Sequence, residues 1–182
     1  MRRKPHAEYE KLMQEYIELY TKGMQQNGLG IALRAAQLAE KIFGKESAEL
    51  AGAFCYVGLS YESKGDYDRA IDYHTKALAI DIKVLGEAHP NVAVSYTNLG
   101  VAYDAKGDHD RAIDYHTKAL AIDIKVLGET HPRVAVSYTN LGNAYEAKGD
   151  YDRAIDYHTK ALGIYIKVLG EAHPNVAVSY TN

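Results

Sequence analysis

The chain has 182 residues, 47% of them apolar and 25% charged, with a formal net charge of −3. That is ordinary globular composition and enough chain for one domain. The charge excludes a generic nucleic-acid or anionic-membrane binder, because such proteins need clustered Lys and Arg. No apolar run approaches a membrane span. The basic start Met1-Arg2-Arg3-Lys4 lacks the apolar stretch of a secretory signal. The lone Cys55 allows no internal disulfide and fits a reducing, cytoplasmic setting.

In chain order, residues 1–6 read as a disordered lead-in. Ala7 to Lys22 is a helix, with Tyr9, Leu12, Met13, Tyr16, Ile17, Leu19 and Tyr20 at three- and four-residue spacings. Gly23 to Gly28 is a polar, glycine-bounded loop. Leu29 to Phe43 is a second helix closed by Gly44 as a cap, and Ala48 to Ser63 is a third.

The stretch Gly65–Lys106 recurs from Gly107 with five changes in 42 positions: Tyr67/His109, Ala88/Thr130, Asn91/Arg133, Val101/Asn143 and Asp104/Glu146. It starts again at Gly149 and runs to Asn182. A fixed period of this size marks a stacked repeat array. The frame slides backward without a gap: Ile42-Phe43-Gly44 falls under Val84-Leu85-Gly86, and Tyr61 under Tyr103. Residues 7–64 are therefore a diverged N-terminal part, 65–106 and 107–148 two near-identical repeats, and 149–182 a shortened one. Divergence at the end is expected, since an end repeat exposes one face to water.

Each repeat holds two helices. The first runs from about Pro90 to Ala105, with proline at a first position that tolerates it and Val92, Ala93, Tyr96, Leu99, Gly100 and Tyr103 as its inner stripe. The second starts after an N-cap aspartate (Asp66, Asp108, Asp150) and ends near Leu127 before Gly128. Its apolar positions cover two sides, Ala112, His116, Ala119 and Leu120 on one and Ile122, Ile124 and Leu127 on the other. Such a helix is packed between neighbours. The expected fold is all-α, a right-handed α-solenoid of antiparallel helix pairs over residues 7–182.

Tyr96, Leu99, Gly100, Tyr103, Gly107, Ala112 and Ala119 lie at the spacing of the tetratricopeptide repeat, which the chain resembles over about residues 15–182. The usual repeat has about 34 residues. The longer unit here, with Val-Leu-Gly-Glu-Ala-His-Pro-Asn-Val-Ala before the next copy, resembles the arrays of kinesin light chains and nephrocystin-type proteins. Two departures stand out. His74, His116 and His158 occupy a position where the family has a bulky aromatic. The coiled coil of kinesin light chains is absent from this sequence, so the resemblance does not imply association with kinesin.

Six of the eight histidines recur with the period, which raises a metal site. Zinc needs ligands converging at about 2.0–2.3 Å, whereas equivalent positions on stacked helices lie far beyond bonding distance. His89, His131 and His173 read instead as caps of the first helix, and His74, His116 and His158 as hydrogen-bonded fillers between helices. No metal and no cofactor is expected. Ser95, Ser137 and Ser179 recur without an activating base, Cys55 has no His or Asp within a turn, and no phosphate loop is present, so no enzyme is expected.

One stripe remains for function: Val94, Thr97, Asn98, Val101, Asp104 and Ala105 on the first helix. Its copy is Val136, Thr139, Asn140, Asn143, Glu146 and Ala147, and its diverged copy Gly52, Cys55, Tyr56, Leu59, Glu62 and Ser63. The family resemblance implies that this face lines a concave groove holding an extended peptide or a partner protein. Asn98, Asn140 and Asn182 would form a ladder able to pair a peptide backbone. Val101/Asn143 and the acids Glu62, Asp104 and Glu146 would supply specificity. The plain alternative is a solvated polar face. Co-chaperone grooves carry Lys and Asn at positions held here by Thr97, Val101, Thr139 and Asn143, which argues against a chaperone-tail binder. A competing expectation is a structural array that self-associates through its ends, as a homo-oligomer. A third is a regulatory array of a larger signalling protein whose enzyme lies outside this chain.

Overall fold

The computed structural model describes residues 3–169. Among those residues the protein is all-α, as the periodicity requires. The helices are α1 (Arg3–Thr21), α2 (Leu29–Phe43), α3 (Ala48–Glu62), α4 (Tyr67–Leu85), α5 (Pro90–Lys106), α6 (His109–Leu127), α7 (Pro132–Ala147) and α8 (Tyr151–Leu169). None is long and apolar enough to cross a membrane. Within α1–α4 and within α5–α8, successive helices pack on one another as antiparallel pairs of the tetratricopeptide-like α-solenoid class. The chain divides into two compact units, one holding α1–α4 and the other α5–α8.

The ends of the helices follow local chemistry. His89 and His131 cap α5 and α7: each Nδ1 accepts the backbone N–H two residues on, at 3.1 Å. Asp66, Asp108 and Asp150 accept the N–H of Arg69, Arg111 and Arg153 at 3.2 Å. Gly44, Gly86 and Gly128 close α2, α4 and α6 with φ of 94°, 86° and 83°, a backbone that costs a side-chain-bearing residue energy. The start of α1 differs most from expectation. α1 begins at Arg3, not Ala7, because Pro5 stands in its first turn, where a missing N–H breaks no helical bond.

In the unit of α1–α4, the core gathers Tyr9, Ala35, Ala36, Ala39, Leu50 and Ala53. Tyr16 is fully buried. Its hydroxyl is 2.8 Å from the Tyr56 carbonyl, to which it donates, and 2.9 Å from Ser60 Oγ. Burial pushes its pKa up to about 12, so it stays a neutral donor. The Tyr16 ring rests on Gly28, where a Cβ would lie 2.6 Å from the ring.

α1 also shows how the divergent end meets water. Lys11, Glu15, Glu18 and Lys22 stand where α7 has Ser137, Leu141, Ala144 and Lys148. All four α1 residues are exposed, whereas Ser137, Leu141 and Ala144 are buried.

In the unit of α5–α8, the core is Leu120, Val134, Ala135, Leu141, Tyr145, Ala154, Ala161, Ile164 and Tyr165. Tyr165 replaces the aspartate of the two earlier copies. It is 7% exposed and belongs to the core. Tyr96, read as part of the inner stripe, is only half-buried, and Ser95 and Ala102 take the buried positions beside it. Tyrosine pairs tie each first helix to the second. Tyr103 stacks on Tyr115 at 5.4 Å and Tyr145 on Tyr157 at 5.4 Å. Arg111 and Arg153 cover the outer faces of Tyr103 and Tyr145, 4.6 and 4.3 Å from the ring centres, a cation–π contact.

Candidate functional site

The recurring histidines lie inside the helix pairs. His74, His116 and His158 are 0%, 3% and 6% exposed. Each ring fills the space left by a glycine on the facing helix. A Cβ on Gly100 would come within 2.5 Å of His116, one on Gly142 within 2.5 Å of His158, and Gly58 meets His74 in the same way. The glycine and the histidine are thus one packing unit, and the histidine takes the place of the family's aromatic. Among the described residues no three His, Cys, Asp or Glu side chains converge as a metal site. His173 and Ser179 lie outside the described residues.

The hydrogen bonds of these rings differ from copy to copy. His74 Nε2 pairs with Glu62 at 3.0 Å. The Glu146 carboxylate stands 3.9 Å from His158 Nε2, beyond a hydrogen bond. His116 Nδ1 is buried with no hydrogen bond, so the expected hydrogen-bonded filler is realised only at His74. Asp104, one methylene shorter than glutamate, is bonded instead by His109 Nδ1 at 2.6 Å. Burial lowers the His116 pKa to about 4, opposed only in part by the Asp104 charge.

These contacts bear directly on the proposed stripe. Two of the three acids expected to read a partner, Glu62 and Asp104, are engaged by histidines of their own chain. Glu146 is the open one, with a side chain 54% exposed. Val94, Val101 and Val136 are 44%, 43% and 45% exposed. Asn143, Ala105 and Ala147 are exposed, and Thr97, Asn98, Thr139 and Asn140 half-buried. The Thr97 and Thr139 hydroxyls donate to the carbonyls of Ala93 and Ala135, at 2.9 and 3.0 Å, which leaves their methyl groups as surface. Asn98 and Asn140 form no hydrogen bond among the described residues. α5 and α7 are also bound to each other: the Arg133 guanidinium donates to the Pro90 carbonyl at 2.8 Å.

The diverged copy lies in the other unit, on α3. Cys55, Tyr56, Leu59 and Gly52 are half-buried there and Ser63 is exposed. Tyr56 is committed to its own unit, with its ring 4.6 Å from Tyr16. Asn182, the third rung of the asparagine ladder, lies outside the described residues.

A buried acid escaped the sequence reading. Asp123 is 2% exposed. Ser137 donates to its Oδ2 at 3.0 Å, and the Arg133 guanidinium stands 3.0 Å from Oδ1 without hydrogen-bond alignment. Burial raises the Asp123 pKa, while the Ser137 bond and the Arg133 charge hold it back. The available signal was the Asn91/Arg133 change, which places a cation at one copy only.

Two surface depressions of about 360 and 390 Å³ lie at the turns Lys106–Asp110 and Lys148–Asp152. Neither touches Asn98, Asn140 or the exposed valines.

Comparison with known proteins agrees with this architecture. No curated protein matches the sequence. Among solved structures, BtubC (BKLC) from P. vanneervenii is 29% identical with a TM-score of 0.75, over 87% of this chain and 63% of that one, so this chain spans less than two thirds of its length. A Podosopora anserina putative kinesin light chain with nearly identical TPR-like repeats has a TM-score of 0.78 at 22% identity, over 98% of this chain and 83% of that one. A MamA protein is 25% identical with a TM-score of 0.61, over 91% and 77%. The family described as Tetratricopeptide repeat matches residues 49–125, 106–167 and 133–182. With its helix pairs, glycine-backed rings and matched repeats, the chain belongs to the tetratricopeptide repeat family and resembles its kinesin light chain branch.

Proposed function

We propose that this chain is a non-enzymatic scaffold of the cytoplasm that binds an extended segment of a partner protein across α5 and α7. Tetratricopeptide repeats generally mediate protein–protein interaction, so a protein partner is the family's expectation. The observation that carries the finer reading is the state of Asn98 and Asn140. Both amides reach the surface with no hydrogen bond among the described residues, between exposed valines on two helices bound to each other. Each amide can donate to and accept from a peptide backbone. Val94, Val101 and Val136 would take aliphatic side chains, and Glu146 a single Lys or Arg. A net charge of −3 disfavours nucleic acid and anionic membrane as partners. The test is affinity capture with the full chain against the double variant Asn98→Ala/Asn140→Ala. Loss of captured proteins with unchanged thermal unfolding supports the reading, and an unchanged set of captured proteins refutes it.

A second reading, self-association, is favoured by α8. Tyr151 and Ile155 are 65% and 63% exposed, while their copies His109 and Ile113 on α6 are half-buried. Sedimentation across a wide concentration range tests it, and a strictly monomeric mass refutes it.

A further inference from the structure

The stripe on α5 and α7 is nearly the same surface twice. Of its six positions, only Val101/Asn143 and Asp104/Glu146 differ between the two copies. An extended segment laid on one copy would meet the same amides and methyl groups again one repeat on. Specificity is a difference between affinities, so the matched residues cannot fix where the segment sits. The acids do not vary alone. The residue five positions on changes with them: Glu62 is followed by Tyr67, Asp104 by His109 and Glu146 by Tyr151. Two of the five differences between the near-identical repeats are thus one paired change. The structure gives the reason. α6 begins at His109 and α8 at Tyr151, so this residue enters the second helix just past the acid. His109 Nδ1 bonds Asp104 Oδ1 at 2.6 Å, and the Asp104 side chain is 28% exposed. Tyrosine has no ring nitrogen to offer. The Glu146 side chain is 54% exposed, with His158 Nε2 3.9 Å away.

Resting on the reading of α5 and α7 as a binding face, we propose that His109 determines the register of the bound segment. By bonding Asp104 it closes one of two acids that would otherwise be equivalent. A Lys or Arg of the partner then pairs at Glu146 only, and the segment cannot slide by one repeat to an equal site. A cation aimed at Asp104 would have to displace the imidazole and give up a hydrogen bond to a charged group, which is among the stronger kinds. His109 acts through Asp104 and is a positioning residue. The partner selected is an extended segment with aliphatic side chains and one cationic residue. A second cation, spaced to meet Asp104, adds little to it.

The test uses the full chain and a phage-displayed library of random linear peptides, with the affinities of selected peptides measured by calorimetry. The parent is compared with Glu146→Gln, with the double variant Asp104→Glu/His109→Tyr, which carries the residues of the neighbouring copies, and with His109→Asn. The parent should select peptides with one fixed cationic position, and Glu146→Gln should abolish that preference. The double variant should select peptides with two cationic positions at a constant spacing. For those peptides, replacing the second lysine by glutamine should weaken binding to the double variant about fivefold and leave binding to the parent unchanged. His109→Asn keeps an N–H donor near the place of Nδ1 and should behave as the parent, which separates the bond from the ring. A merely structural role of His109 would not move this ratio. A second lysine that counts equally for parent and double variant, or a cationic preference that survives Glu146→Gln, overturns this proposal and leaves the binding face standing. If no selected peptide loses affinity for Asn98→Ala/Asn140→Ala, the binding-face reading falls and this proposal with it.

Discussion

His116 should make the chain lose stability in acid by a calculable amount. Its ring is 3% exposed and Nδ1 has no hydrogen bond. Desolvation holds its pKa at about 4 against an ordinary 6.5. The direction follows from linkage. Above pH 6.5 the ring is neutral in both folded and unfolded chains and contributes no pH dependence. As the pH falls from 6.5 towards 4, the unfolded chain takes up the proton first and the folded state loses ground. At about 1.4 kcal/mol per pH unit, the full loss is roughly 3 kcal/mol, a sizeable share of the 5–15 kcal/mol that stabilises a typical domain. Urea unfolding of the parent and of His116→Phe, at steps from pH 7.5 to 4, isolates this effect from the carboxylates. The absolute stability of the variant is not the readout. The parent should lose about 3 kcal/mol more than the variant over that range. A second arm uses the neighbouring copies: Asp104→Glu with His109→Tyr restores the residues found at Glu146 and Tyr151, frees the carboxylate and should shrink the acid loss. Parallel stability curves for parent and His116→Phe would refute the argument.

Three further outcomes are expected. Gly142→Ala should destabilise by about 1–3 kcal/mol through overpacking against His158, and adding His158→Ala should cost less than the sum of the two single changes in urea titrations. Arg133→Asn, the residue of the preceding copy, should cost about 2 kcal/mol at neutral pH by removing the charge beside buried Asp123, and the penalty should fade in acid as Asp123 takes up its proton. Tyr16→Phe should lower thermal stability by about 1–2 kcal/mol, since Ser60 and the Tyr56 carbonyl lose their buried partner.

Local and periodic features of this chain were legible in its sequence because they depend on residues close in the chain. The bounds of α2, the aspartate and His-Pro caps and the closing glycines all matched, since a cap needs only its own turn. Gly100 was read as part of the inner stripe and His116 as a filler between helices. That each answers the other is a contact across a helix pair and does not show in a linear pattern. Asp123 was missed for the same reason: a charged residue in an amphipathic helix reads as solvent-facing until Ser137, fourteen residues on, is brought beside it. The stripe lies on α3, α5 and α7, and two of its acids, Glu62 and Asp104, are bonded by histidines of their own chain. Glu62 and Asp104 looked available because their histidine partners lie on the next helix.

The bond from Arg133 to Pro90, together with its place beside Asp123, has a consequence for how the chain finds its order. Copies alike in all but a few positions can exchange places during folding, a characteristic failure of repeat proteins. If α5 took the place of α7 over α6, Asp123 would meet Asn91 and remain a buried charge without a cation. The few unlike residues therefore act as index marks. They give otherwise like copies unlike polar contacts, since a cation stands beside Asp123 where the preceding copy has Asn91.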